Sequence, residues 1–234
     1  MLYELKTYKF LQDGILALSR MEQQGLRIDM KYAEKKKLEL TKEIEKLEIE
    51  FKATKLYKHW AHTTKSKVNI YSPQQLGAFL YGVKKIKINK ETASGQGATD
   101  EEALQELGIP ELDILLRIKK LKKVRDTYLD AFVREQVKGI VHPFFNLHLV
   151  RTFRGSSDSP NFQNIPKRDK ETMDICRRAI LPRPGHQFIE LDYKQLEVRI
   201  SCCYNRDNQL KEDILAGDMH KEMAIKIFLI ENFN

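Results

Sequence analysis

Cysteine is scarce in this chain of 234 residues: there are three, Cys176, Cys202 and Cys203. An odd count with one adjacent pair does not make a disulfide framework. No Cys-x-x-Cys occurs, so a zinc site is not expected, and the thiols read as small buried hydrophobes in a reducing compartment. Long apolar runs are missing too. None approaches the roughly 20 residues that a membrane span needs, and Met1-Leu2-Tyr3-Glu4-Leu5-Lys6 lacks the basic-then-apolar layout of a secretory leader. No internal repeat is present. With 41% hydrophobic and 32% charged residues, a soluble protein with a proper core is expected. Acidic residues are the minority, 33 against 41 Lys and Arg, for a net charge of +8. That balance admits a polyanionic partner, and solvated lysine-rich faces account for it as well.

Residues from about Met30 to Tyr57 predict a helix. Leu40, Ile44, Leu47 and Phe51 recur at spacings of four, three and four, and no Gly or Pro interrupts them. A second helix is expected from Pro110 to about Arg134, with Leu121, Val124, Tyr128 and Phe132 on its apolar face. The pair reads as a long antiparallel arm rather than an isolated coiled coil. Arg117, Lys119, Lys120, Lys122, Lys123 and Arg125 crowd the second helix, either to meet a phosphate backbone or as a solvated face. Between the two, Ser72-Pro73 reads as a helix start. Lys84, Lys85, Lys87 and Lys90 lead into a small-residue loop, Thr92 to Ala98, expected to be mobile. Thr99-Asp100-Glu101-Glu102 caps a further short helix. Strand-like alternation follows over Ile140 to Leu149, then a Ser/Asn/Pro-rich block, a short strand over Phe188 to Leu191, and helices from about Gln195. Helices first, and strands with helices later, predict an α+β fold.

The most informative stretch is Asp192-Tyr193-Lys194-Gln195-Leu196-Glu197-Val198-Arg199. An aspartate between a buried strand and a helix suits a metal-binding carboxylate; a helix cap is the alternative. Upstream stands Thr152-Phe153-Arg154-Gly155-Ser156-Ser157-Asp158-Ser159-Pro160-Asn161-Phe162-Gln163-Asn164-Ile165-Pro166, and downstream Gly217-Asp218-Met219-His220. These three blocks, in this order, resemble the family A DNA polymerases. Arg20-Met21-Glu22-Gln23-Gln24-Gly25-Leu26-Arg27-Ile28-Asp29 is similar to the helix leading into that family's palm. Val68-Asn69-Ile70-Tyr71-Ser72-Pro73-Gln74-Gln75-Leu76 is similar to its thumb segment, and Lys90 to Asp100 to its thumb tip.

The resemblance implies a partial right-hand polymerase fold: a helical thumb, an incomplete palm with a short antiparallel sheet, and no fingers. Residues 1–30 would lead into the palm, 31–135 form the thumb with a mobile tip near 84–98, and 136–234 the first part of the palm. It assigns Asp192, Glu197 and His220 to catalysis. Asp192 would bind both catalytic Mg2+ ions, with the Tyr193 carbonyl as a further ligand. Gln195, Glu197 and His220 would face the nucleotide. Glu197 would be the gate against a ribose 2′-hydroxyl, or else an exposed helix glutamate. His220 at a helix start suits a triphosphate. Arg154 would reach the minor groove at the primer terminus. Asn161, Gln163 and Asn164 would bind duplex, or serve turn chemistry. Arg177 and Arg178 would meet phosphates, or form structural ion pairs. Lys119, Lys120 and Lys123 would track the DNA backbone.

The chain departs from the family at Lys194, Leu196 and Val198, and at Phe153 and Gly155, where the local backbone is in question. No Arg-x-x-x-Lys followed by Tyr-Gly comes after Asp192, and none of the six histidines is followed by Asp. The pairs Asp100/Glu102 and Asp169/Glu171 do not follow a buried strand, as a proofreading site requires. The expectation is therefore a DNA-directed DNA polymerase subunit, a nucleotidyltransferase inactive as an isolated chain. Its partners would be primer–template DNA, deoxynucleoside triphosphates and a second polypeptide carrying fingers and remaining palm. Its setting would be the cytoplasm of a bacterium or a phage-infected host, with no membrane involved. A non-catalytic duplex-binding remnant or an inactive truncated polymerase is the competing reading.

Overall fold

The computed structural model describes residues 2–64, 67–152, 154–167, 169–217, 223–225 and 227. These residues form two compact units, Met1–His186 and Gln187–Asn234. They are mostly helical, with small antiparallel sheets.

In the first unit, α1 (Leu2–Gln24) ends at Gly25, whose φ of +59° turns the chain at once into β1 (Leu26–Ile28). Asp29 then caps α2 (Met30–Ala53), its Oδ1 accepting from the Tyr32 amide at 3.0 Å. Glu22 Oε1 accepts from the Phe145 amide at 2.7 Å, tying the end of α1 to a distant segment of the chain. Thr54 breaks the expected helix before Tyr57. Its backbone is extended, and its hydroxyl caps α3 (Lys55–Thr63) through the Tyr57 amide at 3.1 Å. A threonine hydroxyl offers the chain this local alternative to continuing the helix.

Ser72 caps α4 (Pro73–Gly77) as the Ser-Pro pair predicts, and a π-helical turn over Ala78–Val83 follows. Asn69 donates its amide to Gln75 Oε1 at 2.8 Å, which ties the preceding turn to the first turn of α4. Residues Lys90–Ala98 close on themselves: the Ala98 amide donates to the Lys90 carbonyl at 2.8 Å and Glu91 bridges to Gly97. Asp100 caps α5 (Glu101–Glu106). The second long helix is α6 (Pro110–Lys123), a π-helical turn over Val124–Leu129, and α7 (Asp130–Glu135). Lys37 pairs with Asp130, Thr41 with Arg125, and Glu43 with Arg117, so α2 and this helix run antiparallel. Leu40, Ile44 and Phe51 are buried against Leu121, Val124, Tyr128 and Phe132 in one core that also takes in Trp60 and Phe79.

The strands are short. β2 (Gln136–Val137), β3 (Ile140–Val141), β1 and β6 (Ile180–Leu181) form one antiparallel sheet in the order β2-β3-β1-β6. β4 (Phe144–Asn146) pairs with β5 (Ser156–Asp158). The single run expected over Ile140–Leu149 is thus divided at His142-Pro143, where proline offers no amide to a ladder. α8 (Lys170–Arg178), capped by Asp169, leads into β6.

The second unit contains α9 (Leu196–Asn205) and α10 (Asn208–Ala216), packed through Cys202 and Ile214 with Val198 and Leu210. The strand expected over Phe188–Leu191 is not formed. The segment joins no β-ladder among the described residues, and Ile189 and Leu191 are 83% and 90% exposed. Apolar alternation makes a strand only when a neighbour supplies the other half of the ladder. The three cysteines are free thiols. No helix among the described residues is long and apolar enough to cross a membrane.

Candidate nucleic-acid interface

A groove of about 870 Å³ opens in the first unit between α6 and the loop before α8. One wall carries Lys119, Lys120 and Lys123; the other carries Gln163, Asn164 and Lys167, with Tyr128 at the floor. Five of the predicted duplex-binding residues therefore meet here, although two of them come from a separate stretch of chain. Asn161 lies just beyond, lining an adjoining 480 Å³ cavity with Lys123, Tyr128 and Asn164.

The six cations of the second helix are not equivalent. Arg117 grips Glu171 through two nitrogens and reaches Glu43 at 2.9 Å. Lys122 and Arg125 both pair with Asp126, at 2.7 and 2.6 Å. Lys120 pairs with Asp169 at 2.6 Å. Lys119 and Lys123 have no carboxylate partner among the described residues, and burial pushes the Lys119 ammonium below its usual range. The crowding of charge is therefore largely internal ion pairing, and it leaves two open cations on the groove wall.

The opposite wall is held by its own polar groups. Asn161 Oδ1 accepts from the amides of Gln163 and Asn164 at 3.0 and 3.2 Å, so its side-chain oxygen serves the turn, as the turn-chemistry alternative has it. Gln163 Nε2 donates to the Gly155 carbonyl at 3.1 Å. The buried Tyr128 hydroxyl donates to the Asn164 carbonyl at 2.8 Å, joining the two walls. No sequence pattern pointed to Tyr128 in this role, since it reads as one more apolar position of its helix. Lys167 was likewise missed; its signal was a cation directly after Pro166.

Arg154 is exposed just before β5, and Phe153 lies outside the described residues. Arg178 stacks over the Tyr32 ring at 5.4 Å, anchoring the end of α8 to α2, while Arg177 is half-buried.

In the second unit Asp192, Tyr193, Gln195 and Glu197 gather at the start of α9. Gln195 adopts a left-handed conformation at φ 55° and is the residue before the helix, so Asp192 is not its cap. Arg199 Nε donates to the Lys194 carbonyl at 2.8 Å and Lys194 Nζ to the Gly217 carbonyl at 3.2 Å, which fixes the turn. Asp192, Tyr193 and Glu197 are exposed. His220 lies outside the described residues. Among the described residues no group of three or more His, Cys, Asp and Glu could hold a metal ion. Among the described residues Asp192 offers one carboxylate toward such a site, and a two-metal site needs further ligands.

The family model of DNA polymerase family A matches residues 30–233, and the chain belongs to that family. Among individual proteins it is similar to DNA polymerase I of Geobacillus stearothermophilus, with 33% identity over 221 residues, 92% of this chain and 24% of that protein. It is similar also to DNA polymerase I of Rhizobium leguminosarum, 31% identical over 229 residues, 94% of this chain and 22% of that protein. Among solved structures, the polymerase domain of Pol1 from M. smegmatis, in complex with DNA primer-template and dNTP, superposes with a TM-score of 0.73. Its identity is 29%, over 91% of this chain and 37% of that one. The chain thus spans about a quarter of the length of these curated relatives.

Proposed function

We propose that these residues serve template-directed DNA synthesis as thumb and first part of the palm, holding primer–template duplex in the groove between α6 and the Asn161–Lys167 loop. The observation that carries this reading is the convergence of Lys119 and Lys123 with Gln163 and Asn164 on one groove. Open cations supply the sequence-independent attraction to phosphates, and amide side chains supply further hydrogen bonds that position the duplex. Residues 1–30 lead into the palm, 31–135 are the thumb, and 136–234 begin the palm. Arg154 belongs to the duplex contact, and Arg177 and Arg178 act mainly in packing.

Asp192 is the proposed magnesium ligand, with the Tyr193 carbonyl beside it, and Glu197, Gln195 and His220 face a deoxynucleoside triphosphate. Bound magnesium would neutralise phosphate charge in nucleotidyl transfer. The described residues supply one carboxylate of that site, and in this reading a second polypeptide carries the fingers and the remaining palm with the further ligands. The exposed apolar segment Phe188–Tyr193 supports this, since it presents a surface for further protein to cover. The setting is the cytoplasm of a bacterial cell or phage-infected host.

Fluorescence anisotropy with a labelled primer–template tests the groove. The chain should bind, and Lys119→Ala/Lys123→Ala should weaken binding and flatten the salt slope by about 1.8, two phosphate contacts' worth. A chain that binds no duplex would overturn the reading. Magnesium-dependent primer extension, with a polypeptide carrying the missing motifs added, tests the chemistry. Extension that disappears with Asp192→Ala supports it, whereas duplex binding without extension favours a non-catalytic binding remnant.

A further inference from the structure

Of the three lysines on the α6 wall of the groove, Lys119 and Lys123 have no carboxylate partner among the described residues, but Lys120 is covered. Its Nζ lies 2.6 Å from Asp169 Oδ2 and 3.6 Å from Glu171 Oε2. The two carboxylates are committed differently. Glu171 is gripped by Arg117 through two nitrogens. Asp169 divides its oxygens: Oδ1 caps α8 by accepting from the Thr172 amide at 2.9 Å, and Oδ2 is left for Lys120. Asp169 and Lys120 both line the groove. To an ammonium, a carboxylate oxygen and a phosphodiester oxygen are equivalent charged acceptors.

We propose that Asp169 is a built-in counter-charge that occupies Lys120 in place of a backbone phosphate, so that Lys120 is a latent phosphate site and Asp169 sets the affinity of the groove. The proposal rests on the duplex-binding reading above. The pair is well placed for exchange. Its side chains are 32% and 45% exposed, and an ion pair in contact with water is weak enough for a competing anion to displace it. Nor does the capping role require the charge, because asparagine caps a helix as well as aspartate. Asp169→Asn therefore removes the counter-charge and keeps the cap.

The test is anisotropy binding of a labelled primer–template duplex at several salt concentrations. It compares the wild-type chain with Asp169→Asn, Asp169→Asn/Lys120→Ala, and Glu34→Gln, an exposed α2 carboxylate without an ion pair among the described residues. Glu34→Gln controls for net charge. Asp169→Asn should bind about threefold to fivefold more tightly, the order of an exposed pair removed. Its log–log salt slope should steepen by about 0.9, one additional phosphate contact. The gain should disappear in Asp169→Asn/Lys120→Ala. Far-UV circular dichroism and thermal melting check folding, and Asp169→Ser, another good cap without charge, repeats the measurement if the asparagine variant does not fold. If wild type binds and Asp169→Asn matches Glu34→Gln in affinity and slope, the counter-charge is overturned and duplex binding stands. If neither wild type nor any variant binds, the duplex-binding reading falls and takes this proposal with it.

Discussion

A methyl group placed on Gly25 would sit 2.6 Å from the Val141 carbonyl oxygen and 2.8 Å from His142 Nδ1, at a φ of +59°. Backbone cannot retreat as a flexible side chain can, and left-handed angles strain any residue with a Cβ. Gly25→Ala should therefore lower unfolding stability by about 1–3 kcal/mol in urea denaturation. An unchanged midpoint would mean that β1 and β3 separate freely. The thiols differ as sharply. Cys176 is buried, and burial pushes its thiol up to about 12, whereas Cys203 is exposed. Only a thiolate alkylates readily. Brief treatment with iodoacetamide, followed by peptide mass spectrometry, should find Cys203 modified and Cys176 intact until the protein unfolds.

At the level of elements, the antiparallel pairing of α2 with α6 is the main organiser of the first unit. Ile118 on α6 is fully buried in its core. Ile118→Ala should cost about 2–5 kcal/mol, transfer and cavity together, as measured by chemical denaturation. α6 is also fastened to α8 by Lys120–Asp169 and Arg117–Glu171. The Lys120 ammonium and the Thr172 amide hold the Asp169 carboxyl down to about 2, from an ordinary value of 3.8. A depressed carboxylate contributes stability above its unfolded-state value and loses it as pH falls through its folded-state value. The contribution is thus complete above about pH 4 and gone below about pH 2. Stability followed by circular dichroism should fall on acidification through that window, and less steeply in Asp169→Asn. Equal slopes in the two proteins would remove Asp169 from the account.

Across the whole molecule, apolar burial is unevenly shared. The first unit has an extended core from Ile28 to Ala179, while among the described residues the second unit's buried cluster is Cys202 and Ile214. Local opening free energy follows buried apolar contact. Amide hydrogen exchange should therefore be much faster over α9 and α10 than over α2 and α6. If a polypeptide supplying the missing polymerase motifs covers the exposed Phe188–Tyr193 segment, its addition should slow exchange there. Equal protection of both units in the isolated chain would contradict the small cluster as the limit on stability.

Much of this was legible in the sequence because the determining forces act over three or four residues. Asp29, Ser72 and Asp100 cap helices from their own side chains, and the apolar rows of α2 and α6 follow from helical period alone. The family blocks around Arg154 and Asp192 were readable as residue order. Other features were decided only when distant segments met. Which cations stay open on α6 depends on Asp169 and Glu171, 49 and 54 residues further along. Tyr128 became a bridge because its hydroxyl meets a carbonyl 36 residues away. Phe188–Leu191 has the composition of a strand but joins no β-ladder among the described residues. Local propensity travels with the chain; charge neutralisation and strand pairing each need a second group, and only the folded structure determines whether one is there.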